Sequence, residues 1–373
     1  MAMSRGWRVA VSRRLTGNRL ALTAAVVGSA LVAALDTMAD GWTPGAVALL
    51  IGPLLVCAHL GTRRTAAVAA WSLVLALGAA ATHQRVAPPD FAAQFLALLA
   101  GSALAVRNAA RHTAVALALA RTTEVARVSQ RALLRPVSVQ FGGVTVRTRH
   151  HCPIPGSSTG GDLYDIVHTP YGARLLIGDV RGHGLDALGT AAATIGAFRD
   201  LAYLTPALGD LAEALDARIS PDLGPEDFVT AIFAEFAPGE VRLVNCGHPA
   251  PVRLGKQIRL LEPPECALPL GLHPTPRPHR VFLQNGDRLL FYTDGLTEAR
   301  DANGTVFPLL DQVGDALAAP APSDALDALY DRVTAHADGP LTDDLALVLC
   351  QLNEQPLGSR SAPRTPSTPH KAT

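Results

Sequence analysis

Apolar and polar positions follow three rhythms along this chain. In the first hundred residues, four uncharged stretches, 20–35, 41–62, 65–82 and 91–106, are apolar all round, where a helix at a soluble surface would carry a polar stripe. Their lengths of 16, 22, 18 and 16 residues sit around the roughly 17–25 needed to cross a bilayer. Residues 1–107 therefore read as an all-α region of four transmembrane helices. Residues 108–135 follow a second rhythm, in which Val115, Leu117, Leu119, Val125, Val128, Leu133 and Leu134 alternate with Arg121, Glu124, Arg127 and Arg131. No glycine or proline interrupts them before Pro136, which predicts one long helix continuing from the fourth span. It serves either as a rigid spacer or, through an imperfect heptad, as a parallel coiled coil that pairs two copies of the chain.

After Pro136 the rhythm becomes that of strands. Runs at 144–149, 162–168, 173–177, 228–236, 241–244, 252–254, 288–292 and 345–352 are alternating or continuously apolar, and Pro238-Gly239 and Gly247-His248-Pro249 mark turns between them. Helical patterns occupy 185–203, 207–219, 309–318 and 325–337, with Ser323 as the expected cap of the last. Strands joined in sequence and helices in pairs predict an α+β domain of antiparallel sheets covered by helices, over residues 136–352. The Pro-, Ser- and Thr-rich tail 353–373 has no apolar period and is expected to be disordered.

Charge refines the picture. Lys plus Arg and Asp plus Glu both number 32, so no net field points to a nucleic-acid partner. The basic residues are unevenly placed: five arginines precede the first span, Arg63-Arg64 follow the second, and Arg107 and Arg111 follow the fourth. The loops between carry only acids or Arg85. This alternation puts the N-terminus and everything after Val106 in the cytoplasm of a multi-pass membrane protein. The repeated apolar pattern does not fit a cleaved signal peptide. Five cysteines without CxxC spacing argue against a zinc site or a disulfide framework.

The candidate chemistry lies in aspartates. The apolar run Leu175-Leu176-Ile177 breaks at Gly178-Asp179 and passes through Gly182-His183-Gly184 into an Ala-rich helix. Gly160-Gly161-Asp162-Leu163-Tyr164-Asp165, Tyr292-Thr293-Asp294-Gly295 and Thr342-Asp343-Asp344 likewise set an Asp in a turn beside a strand, with no obvious cationic neighbour. Carboxylates gathered in this way need a cation, and hard oxygen ligands suit Mg²⁺ or Mn²⁺. Two such ions activate water and clamp a phosphoryl group without a Ser or Cys nucleophile. HExxH and P-loop patterns are absent from the sequence.

Together with Ile177-Gly178-Asp179-Val180-Arg181-Gly182-His183-Gly184 and Cys246-Gly247-His248-Pro249-Ala250-Pro251, these motifs resemble, in order, the stage II sporulation protein E (SpoIIE) phosphatases, relatives of the type 2C metal-dependent serine/threonine phosphatases. The segment from Gln130 to Pro136, with Leu133-Leu134-Arg135-Pro136, resembles what precedes that domain. The resemblance implies a sandwich of two antiparallel sheets flanked by helix pairs, with two metal ions, Mn²⁺ or Mg²⁺, at one end. It implies that Asp179 bridges the ions with the Val180 carbonyl as a backbone ligand, that Asp294 and Asp343 hold one ion, and that Asp162 holds the other. Asp165 and Asp344 would lie just behind them or bind a weaker third ion. His183 is either a proton donor or a turn residue, and His248 a hairpin residue. The implied activity is dephosphorylation of phosphoserine or phosphothreonine in bacterial partner switching, on a phosphorylated anti-sigma-factor antagonist. A catalytically silent membrane receptor using the same fold, and a hydrolase of small phosphate esters, are the competing readings.

Overall fold

The computed structural model describes residues 20–35, 46–82, 89–141, 143–152, 160–339, 341 and 343–353. The Arg-rich N-terminus, the loops holding Asp36, Asp40 and Arg85, the first five residues of the second apolar stretch, and the tail from 354 lie outside them. The chain divides into two units, Met1–Thr122 and Thr123–Thr373.

The first unit is helical: α1 (Leu20–Leu35), a 3-10 turn (Ala46–Leu50) leading into α2 (Ile51–Cys57), α3 (Thr62–Thr82), and most of α4 (Pro89–Leu133). Two stretches, Thr62–Ala81 and Phe91–Leu133, are long and apolar enough to cross a membrane by length and composition, and the others are shorter. The second apolar stretch differs from its sequence reading. It is broken into a 3-10 turn and a seven-residue helix, with Pro53 in the first turn of α2, where a missing N–H costs no hydrogen bond.

The second unit stacks four layers. One sheet has the order β3-β4-β5-β6-β9, and the other β1-β2-β11-β10-β7-β8. The first contains β3 (Asp162–Thr169), β4 (Gly172–Val180), β5 (Val229–Ala237), β6 (Glu240–Cys246) and β9 (His279–Phe282). The second contains β1 (Ser138–Phe141), β2 (Val144–His151), β7 (Val252–Leu254), β8 (Ile258–Leu260), β10 (Arg288–Tyr292) and β11 (Leu345–Leu352). All strand pairs are antiparallel. Helices α5 (Leu185–Leu204) and α6 (Leu208–Ile219) cover the first sheet, and α7 (Leu309–Ala316) and α8 (Pro322–His336) the second.

Strand parity explains the layering. Successive side chains of a strand point to opposite faces. Ala346, Val348, Cys350 and Leu352 of β11 enter the core between the sheets, whereas Leu345, Leu347 and Leu349 enter a second core under α7 and α8. β10 repeats this with Leu289 and Phe291 on one side and Leu290 and Tyr292 on the other. A strand buried on both faces reads as a continuous apolar run, as Leu345–Leu352 does.

Three strands of this fold, β1, β8 and β9, have no counterpart in the sequence reading. Each is three or four residues long and half exposed, so each lacks the apolar run that marks an inner strand. Ser323 is not a cap: α8 starts at Pro322 behind Ala321, and the Ser323 hydroxyl turns to its neighbour Asp324 at 3.2 Å. Proline at the first helical position supplies the start signal instead.

Candidate metal centre

Two strand ends and two turns assemble the carboxylates. Asp162 opens β3 and Asp179 lies near the end of β4, and the two are registered partners across the ladder. In the other sheet β10 ends at Tyr292, and the chain turns through a 3-10 segment, Asp294–Leu296. Asp343 and Asp344 lead directly into β11, which pairs with β10. Asp162, Asp179, Asp294, Asp343 and Asp344 thus line one open cavity of about 190 Å³, with Gly160, Gly161, Gly182 and His183 completing its wall. No Lys or Arg is among the described residues that line it.

Glycine permits this convergence at two points. A β-carbon on Gly161 would stand 2.3 Å from the Val180 carbonyl oxygen, and one on Gly295 would stand 1.9 Å from the Asp344 carbonyl oxygen. Both distances are far inside van der Waals contact, so no other residue fits without moving the backbone that carries the acids.

Burial and mutual repulsion govern the electrostatics. Burial, then Asp294, Asp343 and Asp344, push the Asp179 carboxyl up from 3.8 to about 8. Asp162 is raised well above the usual carboxylate range by burial, Asp179 and Asp344. Asp294 is raised by burial, Asp343 and Glu298, and burial lifts Asp344 to about 6 against the Gln130 hydrogen bond. Like charges held together in a poorly solvated corner favour protonation or a bound cation. An all-oxygen donor set fits a hard divalent ion of the Mg²⁺ or Mn²⁺ kind. Asp344 Oδ1 is buried with no donor among the described residues, a further acceptor without a partner.

Neighbouring polar groups hold these acids in place. Thr293 Oγ1 donates to Asp162 Oδ2 at 2.9 Å and accepts from the Ala346 N–H at 2.9 Å, which ties β3 to β11. Asp344 Oδ2 accepts from the Gly160 N–H at 3.0 Å and from the side-chain amide of Gln130, a fully buried residue in the last turn of α4. The Cys152 thiol donates to Gln130 Oε1 at 3.4 Å. Sequence reasoning missed both Thr293 and Gln130. Thr293 lies inside a recognised motif and Gln130 opens the recognised segment before the domain, but a motif does not tell which of its residues braces an acid.

The other site residues of the sequence reading are placed differently. Asp165 does not line the cavity. It lies three residues from Asp162 on the same strand, an odd separation that turns it to the other face, where Arg199 Nε bonds it at 2.6 Å. It does have a cationic partner, supplied from α5. Val180 packs its carbonyl against Gly161, and His183 is exposed at the cavity rim. Arg174, one of the two arginines nearest the Asp179 motif, is fully buried. It bonds Glu235 at 2.6 Å and the carbonyls at the end of α5, out of reach of a phosphate. The other, Arg181, pairs with Glu226. His248 is buried beneath the site.

Residues 169–353 match the family model of stage II sporulation protein E (SpoIIE). Among solved structures, the chain is similar to the RsbU and RsbW domains of Rv1364c from Mycobacterium tuberculosis, with 24% identity and a TM-score of 0.51 over 58% of this chain and 61% of that one. It is also similar to the PP2C phosphatase domain, with a fragment of the regulatory domain, of the cell fate determinant SpoIIE from Bacillus subtilis. There the identity is 17% and the TM-score 0.50, over 58% of this chain and 66% of that one. The chain therefore spans less than two thirds of each of these two chains. Two antiparallel sheets between helix pairs, a cluster of aspartates at one end and the family match agree: the second unit of this chain is a SpoIIE-type domain with the fold of the type 2C phosphatases.

Proposed function

We propose that this domain is a metal-dependent protein phosphatase that hydrolyses phosphoserine or phosphothreonine, and that Asp162, Asp179, Asp294, Asp343 and the Val180 carbonyl are its ligands for two Mn²⁺ or Mg²⁺ ions. The observation that carries this reading is the convergence of five aspartates from both sheets on one cavity with no lining Lys or Arg among the described residues. A binding module has no use for such a cluster, which costs stability unless a cation is present. When bound, the ions lower the pKa of coordinated water and clamp phosphoryl oxygens. The chain's own part is to fix the carboxylates on two rigid sheets. Asp344, held by Gln130 and Gly160, supports the corner from behind. Among the described residues of the wall, His183 is the histidine placed to carry a proton to the leaving oxygen of the substrate serine.

The first unit is, on this reading, a multi-pass membrane anchor with the N-terminus and the phosphatase domain in the cytoplasm. Residues 108–135 pass its state onward and pair two copies of the chain. The substrate is a phosphorylated protein of the anti-sigma-factor-antagonist kind. The family match and the likeness to a chain that joins an RsbU to an RsbW domain support a partner-switching role. The test is phosphate release from a phosphoserine peptide and from p-nitrophenyl phosphate, with Mn²⁺ and with chelator. Mn²⁺-dependent release from the peptide is expected. Release from the small ester alone would make the protein a small-molecule hydrolase, and release from neither would leave a membrane-tethered binding protein.

A further inference from the structure

The aspartates come from two sheets that share no strand pair, so something other than backbone hydrogen bonding must set the distance between Asp179 and Asp294. His248 lies across that gap. The residue is 6% exposed, with its ring Nδ1 3.0 Å from Thr230 Oγ1 and Nε2 3.1 Å from the Tyr292 carbonyl oxygen. Thr230 is the registered partner of Asp179 in the first sheet. Tyr292 is the last residue of β10 in the second, two positions before Asp294.

The bonding also fixes the ring's chemical form. A carbonyl oxygen can only accept, so Nε2 carries the proton, and Nδ1 takes the proton of the Thr230 hydroxyl. Both nitrogens are thereby used inside the protein, so the ring has no proton to offer a substrate. Burial holds it neutral, with its pKa lowered from 6.5 to about 3. The turn is locked as well. The Asn245 side-chain amide donates to the His248 carbonyl at 2.8 Å, and Asn245 Oδ1 accepts from the His248 N–H at 2.8 Å. Gly247, at φ +71°, lets the chain bend back into position.

We infer that His248 is a positioning residue of the metal centre: a neutral strut that holds the Asp179 strand and the Asp294 turn at the separation a pair of divalent ions requires. The inference rests on the metal reading above, and it gives the Gly-His-Pro turn a task beyond that of a hairpin. Thr293, the residue after β10, also joins the sheets by its bond to Asp162, so the cluster is braced at two points.

The experiment is calorimetric titration of the full-length chain with Mn²⁺, alongside equilibrium unfolding. Removing groups that orient metal ligands typically costs 10–100-fold in affinity. His248→Ala is therefore expected to weaken Mn²⁺ binding about tenfold or more. His248→Gln, whose amide nitrogen can still donate to the Tyr292 carbonyl, should recover most of the loss. Thr230→Val keeps its shape but loses the hydroxyl donor. It should show a smaller loss in the same direction, and because the same hydroxyl also lies 3.4 Å from the Asp179 carbonyl oxygen, adding it to His248→Ala should cost less than the two losses taken separately. Thr230→Val also decides the matter if His248→Ala does not fold. Wild-type Mn²⁺ affinity in both His248→Ala and Thr230→Val would overturn the inference, as would a loss in His248→Ala that Gln does not relieve. Failure of the wild type itself to bind Mn²⁺ would overturn the metal reading instead.

Discussion

Replacing Asp179 by Asn should stabilise the metal-free protein at the pH where it abolishes metal binding. In the folded domain burial, and then the neighbouring acids, push the Asp179 carboxyl up from 3.8 to about 8. Between those values the unfolded chain has released a proton that the metal-free folded chain keeps. The folded state then binds more protons, and stability falls as pH rises, by about 1.4 kcal/mol per unit. From pH 5 to pH 8 the loss is about 4 kcal/mol, or roughly 8–16 °C in melting temperature for a domain of this size. Asparagine carries no charge, so Asp179→Asn escapes that share of the loss. Thermal unfolding of both proteins in EDTA should give similar melting temperatures near pH 5, with the variant clearly higher at pH 8. Mn²⁺ should then reverse the order. At a hundred times its Kd each of the two ions adds about 2.7 kcal/mol, together about 5 kcal/mol and more than the loss at pH 8, a gain reserved for the wild type. Parallel pH curves in EDTA, or equal stabilisation of both proteins by Mn²⁺, would refute the reasoning.

Other perturbations separate the site from its scaffold. Gln130→Leu removes the side-chain donor to Asp344 and should weaken Mn²⁺ binding about tenfold in a calorimetric titration; wild-type affinity would contradict the bracing role. Gly295→Ala places a methyl 1.9 Å from the Asp344 carbonyl oxygen. It should cost about 1–3 kcal/mol in urea unfolding and also weaken Mn²⁺ binding, since the backbone that must yield carries Asp294 and Asp344. Leu347→Ala, in the core under α7 and α8, should cost about 2–5 kcal/mol while leaving the Mn²⁺ affinity intact. His183→Gln should lower kcat on a phosphoserine peptide by about 10²-fold or more and flatten the limb of the pH–rate profile that a proton donor creates.

Much of this architecture was legible in the chain because burial on both faces leaves a plain mark. Leu345–Leu352 and Arg288–Tyr292 are apolar enough to place the two inner strands, and the Asp turns flank them. Edge strands leave no such mark: Ser138–Phe141 and His279–Phe282 alternate weakly, the first pairing with the strand that follows it, β2, and the second with β6 far back in the sequence. Asp165 could have been read correctly, since its odd spacing from Asp162 on a strand separates their faces. Its partner Arg199, thirty-four residues away on α5, could not. Gln130 and the Arg174–Glu235 pair are likewise tertiary facts, made by groups 214 and 61 residues apart. The inter-sheet role of His248 belongs with them. Its turn is visible in Gly247-His248-Pro249, but the Tyr292 carbonyl it meets lies 44 residues further on.

The most direct measurement is anomalous diffraction at the manganese edge from crystals of the protein grown with Mn²⁺. The account predicts two peaks inside the cavity lined by Asp162, Asp179, Asp294 and Asp343, and none there in Asp179→Asn. An empty cavity at saturating Mn²⁺, or manganese held only elsewhere on the chain, would contradict it.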